Sequence, residues 1–206
     1  PRAGRPIRLF CCARLNLNKG HQDLMTAVRT LLDQGVDVRL DIAGEDDAGG
    51  SDYRLVLEAQ LKRLHLQDHV RLLGALDEEA VRAHMEQAHI FVLASWLEPL
   101  GVAYMEAMAM AVPVIGTDAG GVPELIRDGH NGTLVPPRQP DVLARAIRDL
   151  AADLGDRDLG PGQEHRACHR QHLPQVIVRQ DPAKSAGRLR GDQGRLARQR
   201  RVAFLG

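Results

Sequence analysis

Residues 94–124 read ASWLEPLGVAYMEAMAMAVPVIGTDAGGVPE and contain the most informative pattern of the chain. An apolar run at residues 90–93 precedes it and is typical of a buried strand. Residues 102–111 then have the composition and length of a helix, and residues 112–115 form a second β-rich run that a double glycine follows. Strand, loop, helix and strand in this order predict a βαβ unit of a parallel sheet.

Two carboxylates, Glu98 and Glu106, stand on this unit with seven residues between them. Ligands of parallel sheets bind beyond the carboxyl ends of the strands, and Glu98 follows such an end. Glu106 lies one to two helical turns further along, so both carboxylates can reach one ligand. We expect neither of them to be a core residue, because burying an unpaired carboxylate is costly.

The alternation of strand and helix extends over most of the chain, with short connections between the elements. The predicted strands are residues 7–13, 38–43, 70–73, 89–94, 112–115 and 132–135, and the predicted helices are residues 21–32, 53–64, 78–87, 102–111, 123–127 and 140–152. The sequence therefore predicts an α/β fold with a doubly wound, mostly parallel six-stranded sheet and helices on both faces.

The same residues resemble the donor-binding signature of retaining glycosyltransferases of family 4, which have the two-Rossmann GT-B fold. The resemblance extends from about residue 7 to about residue 152 and is to the carboxyl-terminal, donor-binding domain. The matching positions are Ser95, Glu98-Pro99-Leu100-Gly101, Glu106-Ala107-Met108-Ala109, Pro113-Val114, Gly120-Gly121-Val122-Pro123-Glu124, Gly129, Gly132 and Leu134-Val135-Pro136.

The loop after the first strand carries a second set of charged residues. Arg14 and Lys19 are five residues apart, and Gly20 directly precedes a helix. Two cations beside a helix N-terminus are suited to a diphosphate. In the resembling family a Gly-Arg-Leu-x-x-x-Lys-Gly motif binds the pyrophosphate of the donor, and here Ala13 replaces its first glycine. The alternative is a solvated surface pair.

The resemblance also implies a role for each site residue. Arg14, Lys19 and Glu98 are the expected catalytic residues, with Glu98 on hydroxyls of the donor sugar and Glu106 on the ribose. The expected donor-binding residues are Gly20, Ser95, Leu100, Gly101, Val102, Glu106, Gly120 and Gly121. Two alternatives remain: Glu98 as a helix N-cap partner, and the glycine pair as an ordinary tight turn.

The implied reaction is retaining transfer of a sugar from a nucleotide diphosphate to a glycan or lipid-linked acceptor, in polysaccharide or glycoconjugate biosynthesis. Arg14, Lys19 and helix amides can stabilise the departing diphosphate, so we expect no metal and no other cofactor. Asp46-Asp47 is expected to be a solvated loop pair. Neither Gly-x-Gly-x-x-Gly after a strand nor a P-loop is present, which argues against a nicotinamide enzyme and a P-loop nucleotidase.

The composition of the chain argues against a disordered, a disulfide-rich or a membrane-spanning protein. Of 206 residues 44% are hydrophobic, which is ample for a core. The three cysteines give no disulfide framework, and Cys11 and Cys12 are expected to be buried in a reducing compartment. No apolar run approaches the roughly 18 to 20 residues of a membrane span. We expect a cytoplasmic protein, at most peripheral at the inner face of the membrane.

The two ends of the chain differ from the central domain, residues 7–154. Residues 1–6 are expected to be a linker from a missing amino-terminal domain that binds the acceptor. Residues 155–206 are expected to be a basic, irregular tail, produced by a change of reading frame or gene end near Leu154. Residues 1–160 carry 17 Lys and Arg against 24 Asp and Glu, and residues 161–206 carry 10 against 3.

Three alternatives remain open from the sequence. The domain could bind a nucleotide sugar without catalysing transfer, or the basic tail could bind nucleic acid, although it lacks interleaved aromatic residues. A metal site in the tail is the third, and clustering by chance is the simpler explanation because no second ligand pair with finger spacing is present. Its candidate ligands are His165, Cys168, His169 and His172.

Overall fold

The computed structural model describes residues 6–47, 50 and 52–156. The strands are β1 Ile7–Cys12, β2 Val38–Ala43, β3 Val70–Gly74, β4 Ile90–Val92, β5 Val114–Thr117 and β6 Thr133–Val135. The helices are α1 His21–Asp33, α2 Tyr53–Arg63, α3 Glu78–Gln87, α4 Val102–Ala109, α5 Val122–Leu125 and α6 Pro140–Asp156. A 3₁₀ turn, Leu17–Lys19, lies in the loop between β1 and α1.

The six strands form one sheet in the order β3-β2-β1-β4-β5-β6, and every pair is parallel. This confirms the predicted doubly wound α/β fold. The strand order reverses between β1 and β4, where Leu9 pairs with Ile90 and Phe10 with Phe91. In sheets of this kind the crevice at such a reversal is where ligands bind, so the fold places the candidate site between the β1 and β4 loops.

Aromatic side chains connect the centre of the sheet to the helices on one face. The Phe10 ring stacks on His84 of α3, and the Phe91 ring meets Tyr104 of α4 edge-on, with ring centroids 5.4 and 6.0 Å apart. Tyr104 is fully buried, and its hydroxyl donates to the Leu93 carbonyl at 2.9 Å. Helix α1 packs against α2 and α6. Both sides of the β1–β4 pair are therefore held by buried side chains.

The end of α4 differs from its prediction. The helix ends at Ala109 and the next strand starts at Val114, two residues later than predicted. The Val112 amide donates to the Ala107 carbonyl at 2.9 Å, and Ala111 has a positive φ of 59°. Val112 therefore closes the helix, and its amide is not available to the strand ladder.

The two cysteines on β1 differ in their surroundings. Cys11 is fully buried as predicted, but Cys12 is only half-buried and lines a cavity. Cys12 is the last residue of β1, where the cavity opens at the edge of the sheet, so the prediction of two buried thiols was wrong for this one.

Predictions for the chain ends fall largely outside the described part. The linker at residues 1–6 and the tail lie outside it, except for Pro6 and residues 155–156. Those two residues belong to α6, which extends beyond its predicted end at residue 152. The tail metal ligands and the nucleic-acid segment lie outside the described residues.

Candidate functional site

A cavity of about 400 Å³ lies at the carboxyl ends of the central strands. It extends from the loops after β2 and β3, across the end of β1, to the loop between β4 and α4. Its wall is formed by residues 12–14, 19, 43–46, 75–76, 81, 93 and 98–103. The structure thus brings Arg14, Lys19 and Glu98 to one cavity, although Lys19 and Glu98 are 79 residues apart in the chain.

Lys19 and Glu98 form a buried ion pair in the cavity wall. Lys19 Nζ lies 2.7 Å from Glu98 Oε2, and the Ser95 hydroxyl donates to the same oxygen at 3.3 Å. Glu98 is 7% exposed, so the expectation that it lies outside the core was wrong. The reason is that the carboxylate is not unpaired. A cation and a hydroxyl compensate for the water that it loses on burial.

The second oxygen of Glu98 contacts the start of α4. Glu98 Oε1 accepts from the Gly101 amide at 3.2 Å, which is the helix-start contact considered above as an alternative role. Leu100, Gly101 and Val102 also line the cavity, so the positive end of α4 faces it. The Lys19 ammonium, which is paired with Glu98, and this helix end are the groups of the wall that suit an anion.

Arg14 lies at the mouth of the cavity and is more exposed than Lys19. Its Nη1 is 2.9 Å from Asp47 Oδ1, and Asn16 Nδ2 donates to the other oxygen of Asp47 at 3.0 Å. Asp46 in turn accepts from the Arg54 amide at 3.1 Å. The prediction of a merely solvated Asp46-Asp47 pair was therefore wrong, because both carboxylates hold neighbouring groups in place.

Glu106 lies on α4, one turn beyond the cavity wall, and it is exposed. Partial burial, and next the negative charge of Glu78, raise the pKa of its carboxyl. Glu106 does not line the cavity itself, but its charge acts on Cys12 in the cavity wall. Its contact with a ribose stays a prediction.

The predicted donor-binding glycines lie where neighbouring loops approach one another closely. A Cβ on Gly20 would lie 1.8 Å from the Ala94 carbonyl oxygen, and a Cβ on Gly120 would lie 2.3 Å from that of Glu98. Both glycines have a positive φ, near 60°. The Gly121 amide donates to the Glu98 carbonyl at 2.9 Å. These glycines therefore allow neighbouring loops to touch, and their contact with a donor stays a prediction.

The apolar part of the cavity wall was not identified from the sequence. Its small and apolar side chains come from the last residues of β1 and β2, from the loops after β1 and β3, and from α3; they are Cys12, Ala13, Ala43, Ala75, Leu76 and Val81. Burial, and next the charge of Glu106, raise the pKa of the Cys12 thiol to about 11. No sequence signal distinguished these residues, because small apolar side chains are common at strand ends and on helices.

His21 is a second residue that the sequence did not single out. It opens α1 directly after Gly20, is fully buried, and lies against Tyr53 with ring centroids 6.4 Å apart. The pKa of the imidazole is lowered to about 4, chiefly by burial; the Asn16 backbone opposes this shift and the Lys19 charge contributes to it. The imidazole below the Lys19 loop is therefore neutral at ordinary pH.

The family model described as "Glycosyl transferases group 1" matches residues 1–159. This chain belongs to that family. Its sheet is the Rossmann-like half of a GT-B glycosyltransferase fold.

Curated group 1 relatives match the chain along part of their length. The amylovoran biosynthesis glycosyltransferase AmsK of Erwinia amylovora is 34% identical over 167 residues, which cover 76% of this chain and 38% of that protein. A GDP-mannose-dependent phosphatidylinositol monomannoside mannosyltransferase of Mycolicibacterium smegmatis is 32% identical over 156 residues, which cover 72% and 39%. The chain therefore spans about two fifths of the length of these relatives.

Solved glycosyltransferase structures match the described fold. HepE of Anabaena in complex with UDP and glucose has a TM-score of 0.68 and 27% identity, over 78% of this chain and 41% of that chain. The C-terminal domain of a group 1 glycosyl transferase from Francisella tularensis has a TM-score of 0.67 and 25% identity. That match covers 81% of this chain and 87% of the other.

In residues 6–47, 50 and 52–156, no three His, Cys, Asp or Glu side chains converge as a metal site would require. The expectation of no cofactor stays a prediction. None of the helices in the same part of the chain has the length and apolarity of a membrane-spanning helix.

Proposed function

We propose that this chain is the donor-binding domain of a retaining glycosyltransferase that uses a nucleotide diphosphate sugar. The observation that carries the proposal is one cavity whose wall contains both cationic groups and apolar side chains. Lys19, Arg14 and the start of α4 contribute the cationic groups, and the last residues of β1 and β2, the loop after β3 and α3 contribute the apolar side chains. A nucleotide diphosphate has the matching halves, an anion and a flat, weakly polar base.

The residues have separate roles in this proposal. Arg14 and Lys19 hold the diphosphate and offset the charge that grows on it as the sugar leaves. Glu98 accepts from sugar hydroxyls and keeps Lys19 in position, and Glu106 accepts from the ribose. The amides around Leu100 to Val102, together with Gly20, Ser95, Gly120 and Gly121, complete the loops that carry these groups. The chemistry needs no metal in this arrangement.

The acceptor, on this proposal, is a glycan or a lipid-linked sugar held by an amino-terminal domain. Exposed apolar side chains lie on the two loops that carry Lys19 and Glu98, since Leu17, Leu97 and Leu100 are 50%, 55% and 58% exposed. Such side chains are an argument for a second domain that covers these loops. A domain across these loops would exclude water and position the acceptor. The enzyme that contains this domain would act in polysaccharide or glycoconjugate biosynthesis, in the cytoplasm or at the inner face of the membrane.

The test is calorimetric titration of the 206-residue chain with UDP, GDP and ADP sugars. We expect one base to be preferred, and Arg14→Ala to weaken its binding by about 10- to 100-fold, as for loss of a charge-assisted hydrogen bond. Arg82→Ala is the matched control, because it removes an exposed arginine that pairs with Glu86 on α3. Failure of all three donor classes to bind would overturn the proposal.

A second assay separates an enzyme domain from a binding module. We expect the chain alone to bind its donor and not to transfer the sugar, because orientation of the acceptor accounts for roughly 7 to 11 kcal/mol of such barriers. Transfer should appear when the chain is joined to the amino-terminal domain of a group 1 relative. Binding without transfer in that hybrid would favour the non-catalytic alternative.

A further inference from the structure

Trp96 joins three loops at the carboxyl edge of the sheet. It lies in the loop between β4 and α4, two residues before Glu98, and it is half-buried. The indole Nε1 donates to Asp23 Oδ2 on the first turn of α1 at 2.6 Å. The guanidinium carbon of Arg138, in the loop before α6, lies 4.2 Å from the centre of the indole ring. The Trp96 side chain therefore contacts one acidic and one basic residue, which come from two different elements.

The backbone beside Trp96 contacts the loop that carries Lys19. The Trp96 amide donates to the Asn18 carbonyl at 2.6 Å, and the Leu97 amide points to the same oxygen at 3.4 Å. Asn18 directly precedes Lys19, and Leu97 directly precedes Glu98. The two partners of the buried ion pair are thus attached, one residue away, to a shared backbone contact.

The indole fixes the position of this contact. A hydrogen bond to the Asp23 carboxylate is charge-assisted and therefore stronger than a neutral one. The arginine over the ring adds a cation–π attraction on the solvent side. Neither interaction touches the cavity wall, since Trp96, Asp23 and Arg138 do not line it. Their effect on a ligand therefore passes through the loops.

We propose that Trp96 is a positioning residue for the Lys19–Glu98 pair. Its bond to Asp23 holds the β4–α4 loop against α1, so that the Lys19 ammonium meets a donor's diphosphate in a fixed place. The part of this proposal that concerns the diphosphate rests on the proposed function. The effect of Trp96 on the position of the ion pair can be tested without any ligand.

The first experiment measures binding of the preferred nucleoside diphosphate. Trp96→Phe keeps a ring under Arg138 and removes the N–H donor, and we expect a three- to tenfold weaker affinity. Asp23→Ala should give the same loss, and Asp23→Asn, which keeps a neutral acceptor, should restore part of it. In a Lys19→Met background Trp96→Phe should have no further effect. Glu86→Ala, on an exposed pair of α3, is the control and should bind as the wild type does.

The second experiment measures chemical unfolding without ligand. The coupling between Lys19→Met and Glu98→Gln, taken from a double-mutant cycle, should fall by at least half when Trp96→Phe is present in all four proteins. Unchanged coupling would overturn the proposal, as would an equal affinity loss in the wild-type and Lys19→Met backgrounds. If no nucleotide binds the wild-type chain, the proposed function fails, and this second cycle alone decides whether Trp96 positions the pair.

Discussion

Lys19 Nζ lies 2.7 Å from Glu98 Oε2, and the two side chains are only 11% and 9% exposed. The sequence predicted that these residues contact different groups of one donor, and the structure shows them in contact with each other. Each charge is therefore held in place before a ligand arrives. A cation and a carboxylate oriented in this way need little rearrangement on binding, which is the property expected of preorganised sites.

Removal of one partner of this pair should destabilise the fold. Lys19→Met leaves the Glu98 carboxylate buried without its cation, and we expect the free energy of unfolding to fall by about 3–5 kcal/mol. Adding Glu98→Gln should recover much of that loss, because neither charge then remains. Chemical denaturation measures both effects. A loss no larger than for Arg82→Ala, an exposed pair worth about 0–1 kcal/mol, would mean that the pair is not buried in solution.

Replacement of Glu106 should affect binding of the nucleoside and not binding of the diphosphate. Glu106→Gln keeps the size of the side chain and removes its charge, so binding of a nucleoside diphosphate should weaken several-fold while binding of pyrophosphate stays nearly constant. The reason is that Glu106 lies outside the cavity wall, beyond the residues at the start of α4 that line it. Calorimetry with the two ligands measures the difference. Equal losses for both would show that Glu106 supports the phosphate loop instead.

Gly120 can be compared with a glycine of similar backbone. Gly120 has φ 61° and its Cβ would meet the Glu98 carbonyl oxygen at 2.3 Å, whereas Gly129 has φ 70° and no atom within 4 Å. Both alanine variants pay for the left-handed backbone, roughly 1 kcal/mol. Only Gly120→Ala also pushes the Glu98 loop, so it should lower the melting temperature by several degrees more and weaken nucleotide binding. Equal melting temperatures for the two variants would contradict the close approach.

The buried imidazole of His21 should make the free energy of unfolding fall in acid. Burial lowers its pKa from 6.5 to about 4, so the folded state holds the neutral imidazole. The unfolded state takes up a proton below pH 6.5 and the folded state does not. The stability contribution is therefore complete above pH 6.5 and is lost as the pH falls towards 4, by at most about 3 kcal/mol.

The measurement is the free energy of unfolding of wild-type chain and His21→Gln between pH 7 and pH 4. The variant should lose less stability over this interval, even if it is less stable at pH 7. His130→Gln removes an exposed imidazole and serves as the control. Parallel curves for the wild type and His21→Gln would show that the buried imidazole is already protonated or solvent-exposed in the native state.

The strand and helix pattern was predictable because its physical causes are local. Apolar alternation, helix-length segments and glycine breaks are visible within ten or twenty residues, and α3 was predicted at its observed bounds. The 3₁₀ turn at Leu17–Lys19 and the late start of β5 were not predicted. Both depend on backbone hydrogen bonds that close across a few residues, such as that from Val112 to Ala107, and composition carries no sign of them.

The site was predictable in its charged residues and not in their pairing. Arg14, Lys19 and Glu98 line one cavity, as residues at the ends of neighbouring parallel strands must. Burial of Glu98 and the contact of Asp47 with Arg14 depend on loops that come together in space from distant parts of the chain. The apolar part of the cavity wall has small side chains that are common in any core. A single sequence gives them no distinguishing mark.

The strand order has a consequence for the way the protein is made. Residues 7–74 supply β1 to β3 and residues 90–135 supply β4 to β6, so each half of the sheet is continuous in the chain. On the ribosome the first half can pair its strands before Glu98 has been synthesised. The binding cavity comes into existence only when β4 docks on β1, the last joining of the two halves. A ligand of this cavity would therefore stabilise the finished domain and would find no site in the emerging one.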